Sequence, residues 1–188
     1  MLKELIKKNR SYRRFVENIS IPEETIKELV DLARLSASGS NKQPLKFILS
    51  NEQDKNEKIF LPLAWAGYLT DWDGPEKGER PSAYIIILGD KNITTTFGVD
   101  HGIASQSILL GAVEKGYGGC LIGSIKRDEL RKNLNIDDRY DILLVIALGK
   151  PKEEIIIEET KNDDIKYWRD DKERHHVPKR SLNEIILE

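Results

Sequence analysis

A chain of 188 residues with 39% hydrophobic and 33% charged side chains is long enough to bury a core and too apolar to stay disordered, so one packed domain under a charged surface is expected. Thirty Lys and Arg against 32 Asp and Glu leave a formal charge of -2, which excludes a global field drawing the chain to nucleic acid or to an anionic membrane. The single cysteine, Cys120, excludes an intramolecular disulfide and a multi-cysteine zinc site and suits a reducing, cytoplasmic setting.

The opening MLKELIKKNR reads as a short amphipathic helix rather than a signal peptide, with Leu2, Leu5 and Ile6 on one face and Lys7, Lys8 and Arg10 towards its end. No later run approaches the roughly 18 apolar residues of a membrane span. Ser20 and Glu23 have capping-box spacing ahead of Ile26, Leu29, Val30 and Ala33, which predicts a second helix whose pattern Gly39 ends. Pro44 then turns the chain into a predicted strand at LKFILS. Between Asn51 and Pro81 the pattern is weaker, with a charged segment, an aromatic cluster LAWAGYLTDW and the polar stretch DGPEKGERP, and a helix followed by a surface loop is expected. SAYIIILGD, bounded by Pro81 and Gly89, predicts a buried strand central in its sheet. GIASQSILLGAVEKG predicts an interior helix whose small residues admit a close neighbour and which stops at Gly116. A strand at GGCLIG, a helix around KRDELRKNL and a strand at DILLVIALG complete an α+β chain read as one domain over 1–188. From Lys150 charge rises, but IIIEE and LNEIILE keep enough apolar residues to dock. The segment 151–188 is therefore expected to pack on a partner subunit.

Four segments have residues suited to chemistry. NRSYRRF gathers Arg10, Ser11, Arg13 and Arg14 into a clasp fit for a phosphomonoester, although cations at a helix end also complement the helix dipole. ASGSNKQP sets small residues before Asn41 and Gln43, whose amides offer donors and acceptors to a heterocycle edge. The same residues are ordinary turn formers. GYGGCLIGS allows main chain around Gly123 and Ser124 to approach a ring closely, or else is a helix stop and strand entry. It is not a GxGxxG fingerprint. HHVPKR adds Lys179 and Arg180. Adjacent His175 and His176 point apart in an extended segment, so no metal site is expected. Cys120 reads as packing, His101 beside Asp100 is undecided, and no side chain is assigned as catalytic.

Taken in order, these segments resemble the nitroreductase family over nearly the whole chain. NRSYRRF is similar to the family's RRSxRxF, ASGSNKQPL to its PSxxNxQPW, GYGGCLIGS to the GxGxCWIGG of one branch, and VPKRSLNEII to its terminal basic segment. The resemblance implies a nitroreductase-like three-layer α/β/α sandwich with a mixed, largely antiparallel sheet. It also implies an interlocked homodimer with two FMN sites, each lined by both chains. Electrons would pass from NADH or NADPH to small acceptors such as nitroaromatics or quinones by a ping-pong scheme; the balanced charge and the lack of a long apolar run point to no nucleic acid or membrane partner. By motif position, Arg10, Ser11, Lys179 and Arg180 would bind the FMN phosphate and Arg13 would approach the pyrimidine edge. Ala37, Ser38, Gly39, Asn41 and Gln43 would come from the partner subunit, and the main chain of Ile122, Gly123 and Ser124 would run beside the isoalloxazine. Asn9, Ala37, Leu45 and Leu121 depart from the family's arginine, proline and two tryptophans. Two other outcomes are compatible with the resemblance. One is a specialised flavin reaction, reductive dehalogenation or flavin breakdown, under a lid for which Trp72 to Arg80 is the candidate. The other is a flavin-binding dimer without turnover.

Overall fold

The computed structural model describes residues 1–187. In chain order its elements are α1 (Leu2–Lys8), α2 (Glu23–Arg34), β1 (Leu45–Ser50), α3 (Gln53–Phe60), β2 (Ala83–Asp90), α4 (Asp100–Glu114), β3 (Gly118–Ile122), α5 (Arg127–Leu134), β4 (Tyr140–Gly149), β5 (Ile155–Glu159), β6 (Trp168–Arg169), β7 (His175–Lys179) and α6 (Leu182–Ile185).

Every residue of β2 is buried, as its unbroken apolar run requires, and it lies inside a four-stranded antiparallel sheet of order β1-β2-β4-β3. The period-2 alternation of a strand divides the core in two. Tyr84, Ile86 and Leu88 pack with Ile59 of α3 and Leu130 of α5, while Ile85 and Ile87 pack with Ile26 and Leu29 of α2 and Ala104 and Ile108 of α4. Helices thus cover both faces of the sheet, giving the three-layer sandwich. A bulge resets the alternation in β4: Ile87 pairs with Leu144 but Leu88 pairs with Ile142. Skipping Leu143 sends Ile142 to the α3/α5 side and Leu144 to the α2/α4 side.

Three local expectations are corrected. Pro22 caps α2 with no side-chain hydrogen bond, so Ser20 and Glu23 do not close a capping box; proline's restricted φ starts the helix instead. The helix ends at Arg34, with the Ser36 hydroxyl donating to the Leu32 carbonyl at 2.8 Å, and Gly39–Asn41 is a separate 3-10 turn. The aromatic stretch after α3 is not all surface, because Leu63 and Trp65 are buried under the sheet, with Trp65 5.8 Å from the Phe60 ring.

The tail folds into a second sheet, with β7 parallel to β5 and antiparallel to β6. It is tied to the N-terminal segment of its own chain: Phe15 bridges Pro151, the Lys152 N–H donates to the Arg14 carbonyl at 3.0 Å, and Arg14 pairs with Glu173 at 2.8 Å. The loop Trp72 to Arg80 is tied to the same segment. Arg14 forks onto Glu79, Lys152 reaches Glu79 at 2.8 Å, and the Glu17 carboxylate accepts from the Gly78 and Arg80 N–H groups.

The hydrogen bond from Arg14, aided by Lys152 and opposed by burial, holds the Glu79 carboxyl down at about 2 from an ordinary value near 4.5. A carboxyl depressed on folding stabilises fully above its unfolded value, and that contribution is lost as pH falls towards the folded one. Thermal unfolding followed from about pH 5 to about pH 2 should show E79Q less stable than the wild type at the upper end, with the gap closing through that window. Parallel curves would remove Glu79 as the clamp.

Candidate functional site

Beyond α1 the chain runs extended against β3, with Ser11 bridging Gly119 and the Tyr12 N–H donating to the Gly119 carbonyl at 3.0 Å. Two glycines make this approach possible. A Cβ on Gly118 would lie 2.5 Å from the Tyr12 ring, and one on Gly119 would lie 2.6 Å from the Ala147 carbonyl oxygen. Their role here is close chain-to-chain packing. Opposite, β7 presents His175, Val177 and Lys179 at alternate positions, and α4 contributes Gln106 and Leu109. Together these elements enclose a cleft of about 360 Å³ that Arg10, Ser11 and Arg13 also line.

The cleft's charge is one-sided. Among the described residues Arg10, Arg13 and Lys179 have no carboxylate within ion-pair distance, whereas Arg139, Arg169 and Arg174 each have one and Arg14 and Arg180 each have two. Arg10 donates Nε to the Asn9 carbonyl at 2.6 Å and Nη2 to the Ile6 carbonyl at 3.1 Å, so it complements the end of α1 while its charge stays uncancelled. Asn9 is itself buried and donates Nδ2 to Gln106 Oε1 at 3.3 Å, joining α1 to α4 under the cleft. Arg13 donates its backbone N–H to Glu153 and Nη1 to the Ser11 carbonyl at 3.2 Å, and its guanidinium lies 4.7 Å from the Tyr167 ring centroid. Burial, then the nearby Arg13 and Arg169 charges, push the His175 ring down to about 4, so it is neutral at ordinary pH. Burial likewise pushes up the Cys120 thiol, which sits in the core as a packing group.

The other expected site residues lie elsewhere. Ala37, Ser38 and Gln43 line a smaller pocket with Phe47 and Asp100. There Asp100 accepts from the Ser38 hydroxyl at 2.6 Å and from the Gly39 N–H at 2.9 Å, and Ser38 Oγ accepts the Gln43 N–H at 2.9 Å. Ser40, Asn41 and Gln43 have φ of 51°, 53° and 52°, and the Asn41 and Gln43 side chains are exposed. The Ile122 side chain belongs to the core. The Gly123 carbonyl accepts from Arg127 at 3.4 Å and the Ser124 carbonyl from the Ala64 N–H at 3.0 Å. Arg180, just past the end of β7, is engaged by Asp163 and Glu184. Of the expected set, then, the cleft brings together Arg10, Ser11, Arg13 and Lys179.

Sequence reasoning missed Gln106, Leu109, Tyr167, His175 and Val177 as lining residues. For the two in β7 a signal existed, since the alternation in HHVPK puts His175, Val177 and Lys179 on one face once the segment is taken as a strand. An array of N–H and N⁺–H donors with one serine hydroxyl and no carboxylate fits a multiply charged oxyanion such as a phosphomonoester. Among the described residues no group of three or more His, Cys, Asp or Glu side chains is arranged to hold a metal, and no helix is long and apolar enough to cross a membrane.

The same arrangement of elements occurs in solved structures. The nitroreductase family protein of Streptococcus pneumoniae TIGR4 superposes with a TM-score of 0.70 at 17% identity, covering 100% of both chains. An FMN-dependent nitroreductase of Clostridium difficile R20291 superposes with a TM-score of 0.65 at 23% identity over 85% of this chain and 91% of its own. In sequence, the Bacillus subtilis protein named "Putative NAD(P)H nitroreductase MhqN" is 23% identical over 80% of this chain and 88% of its own. The sequence model of the nitroreductase family matches residues 6–150, most of the chain, and the chain belongs to that family.

Proposed function

We propose that the protein is an FMN-dependent oxidoreductase that takes electrons from NADH or NADPH and passes them to small acceptors such as nitroaromatics or quinones. The observation behind this reading is the cleft with Arg10, Arg13 and Lys179 uncancelled by any carboxylate among the described residues. The cofactor and nucleotide named for similar proteins support it. Bound FMN would supply the redox chemistry, receiving electrons from the nicotinamide and releasing them to the acceptor in a second, separate step.

The chain's own part is to bind and orient. Arg10, Lys179 and the Ser11 hydroxyl would hold the phosphate, and Arg13 would stand at the pyrimidine edge, where its charge offsets negative charge gained on reduction. The main chain of Ile122 to Ser124 would flank the ring system. No side chain in the cleft is required as a general base.

The functional unit in this proposal is a homodimer. Residues 37–43 expose the amides of Asn41 and Gln43 away from their own cleft, as a loop serving a second copy would. Exposed apolar side chains at Leu2 and Ile6 on α1, Leu32 and Leu35 at the end of α2, and Val99 and Ile103 at the start of α4 provide surface for that copy. The tail's exposed Leu182, Ile185, Ile186 and Leu187 extend it. The clamped Trp72 to Arg80 loop favours an ordinary open-site reductase over a chemistry that needs a closing lid.

Purified protein should show flavin absorption bands that bleach on anaerobic addition of NADH or NADPH. Bands that persist would identify a binding module, and protein that stays colourless with added FMN would end the cofactor assignment. K179A and R13A should each weaken FMN retention by about 1.5–3 kcal/mol per charged hydrogen bond lost, roughly ten- to a hundredfold in the dissociation constant. R180A should change it much less, because Arg180 is engaged by Asp163 and Glu184. Equal losses for R180A and K179A would restore Arg180 to the phosphate site.

A further inference from the structure

His175 is 1% exposed in the wall of the cleft, and its Nε2 lies 3.2 Å from Arg13 Nη1. A guanidinium only donates, so this contact makes Nε2 the acceptor and places the ring proton on Nδ1. The Nδ1 atom is sealed from solvent without a partner, so a second ring proton would leave both N–H groups without acceptors beside a fixed cation. Tyr167 completes the setting, its ring 4.7 Å from the Arg13 guanidinium carbon and 5.2 Å from the His175 ring at 41°. Glu153, which meets the Arg13 backbone, is otherwise occupied: one oxygen accepts the backbone N–H groups of Arg13 and Arg14, and the other pairs with Arg169 at 3.3 Å.

Arg13 is therefore oriented by a carbonyl, an imidazole and an aromatic face, all neutral. Elsewhere in the chain Arg14, Arg139, Arg174 and Arg180 are oriented by carboxylates. The two solutions fix geometry equally well and differ in electrostatics. A carboxylate at hydrogen-bond distance cancels the guanidinium's field, while a neutral acceptor leaves it nearly whole at the cleft wall.

We propose that His175 is a positioning residue for Arg13: its neutral ring fixes the guanidinium at the cleft wall without neutralising it, so that Arg13 presents its full charge to the bound cofactor. This rests on the assignment of Arg13 to the flavin. It gives His175 a function beyond that of its neighbour His176, which stacks on Trp168 and bonds Glu158 at the back of the tail sheet.

The test compares wild type, H175Q and H175E in two measurements, the dissociation constant of FMN and the midpoint potential of the bound flavin. Glutamine restores a neutral acceptor and should leave the dissociation constant within about twofold of wild type and the potential within about 10 mV. Glutamate pairs with Arg13 and cancels it, so the preference for reduced over oxidised flavin should fall about tenfold, a drop of about 30 mV for a two-electron couple. Equal potentials in all three proteins, or equal shifts in H175Q and H175E, would overturn the proposal, the latter by showing a purely structural role. If H175E does not fold, H175L decides: removing the acceptor should loosen FMN about tenfold where H175Q does not, and identical affinities would overturn it. A wild-type protein that takes up no FMN sinks the cofactor assignment itself, whereas uptake with unresponsive variants sinks only the role of His175.

Discussion

Residues 11–16 have no continuous strand partner, yet each backbone N–H from Tyr12 to Val16 must find an acceptor on leaving water, and the rest of the cleft depends on how this is done. Tyr12 donates to the Gly119 carbonyl, Arg13 and Arg14 share the Glu153 carboxylate, Phe15 donates to the Glu79 carbonyl and Val16 to the Lys150 carbonyl. The acceptors come from β3, the start of the tail, the loop after α3 and the end of β4. A segment without regular structure therefore binds four distant parts of the chain. Phe15, fully buried, fills the space against Gly149 that those bonds enclose.

The extended course of this segment also separates two jobs that the sequence crowds together. Successive side chains of an extended chain point in opposite directions. Arg13 accordingly faces the cleft among neutral partners, while Arg14, its immediate neighbour, faces the loop and is neutralised by Glu79 and Glu173. One arginine is neutralised within the fold, and the charge of the other is left without a carboxylate partner among the described residues. The composition of NRSYRRF is uniform in charge, and only the backbone direction distinguishes the two roles.

This explains what the sequence made legible. The central β2 was readable because burial on both faces removes alternation and leaves an apolar run, and the small residues of α4 were readable because close helix packing demands them. Arg10, Ser11, Arg13 and Lys179 were legible as donors suited to phosphate. The division between Lys179 and Arg180 was not, because it depends on where β7 ends and on Asp163 and Glu184 lying within reach. The contact between His175 and Arg13 was not legible because the two residues lie 162 positions apart. The start of α2 misled because Pro22 supplies what the Ser20 and Glu23 spacing suggested. In each case the missing information was a contact distant in sequence, or the local backbone geometry on which a contact depends.

The 37–43 loop is held in a strained conformation by contacts within its own chain. Non-glycine residues in the left-handed region cost free energy, and three such residues within four positions persist only where the surroundings fix them. Asp100 does so here: among the described residues its buried carboxylate has no cation within ion-pair distance, and it takes the Ser38 hydroxyl and the Gly39 N–H instead, at the first turn of α4 where the helix dipole favours negative charge. Holding Ser38 and Gly39 in this way sets the curvature that follows, and that curvature leaves Asn41 and Gln43 with exposed amides that line no part of the cleft with the three cations. Within one chain the arrangement maintains a strained loop with no use for its displayed groups. In the dimer we propose, the same strain delivers them to the partner's cleft, so the rigidity that Asp100 gives the loop becomes preorganisation of a site the single chain cannot complete.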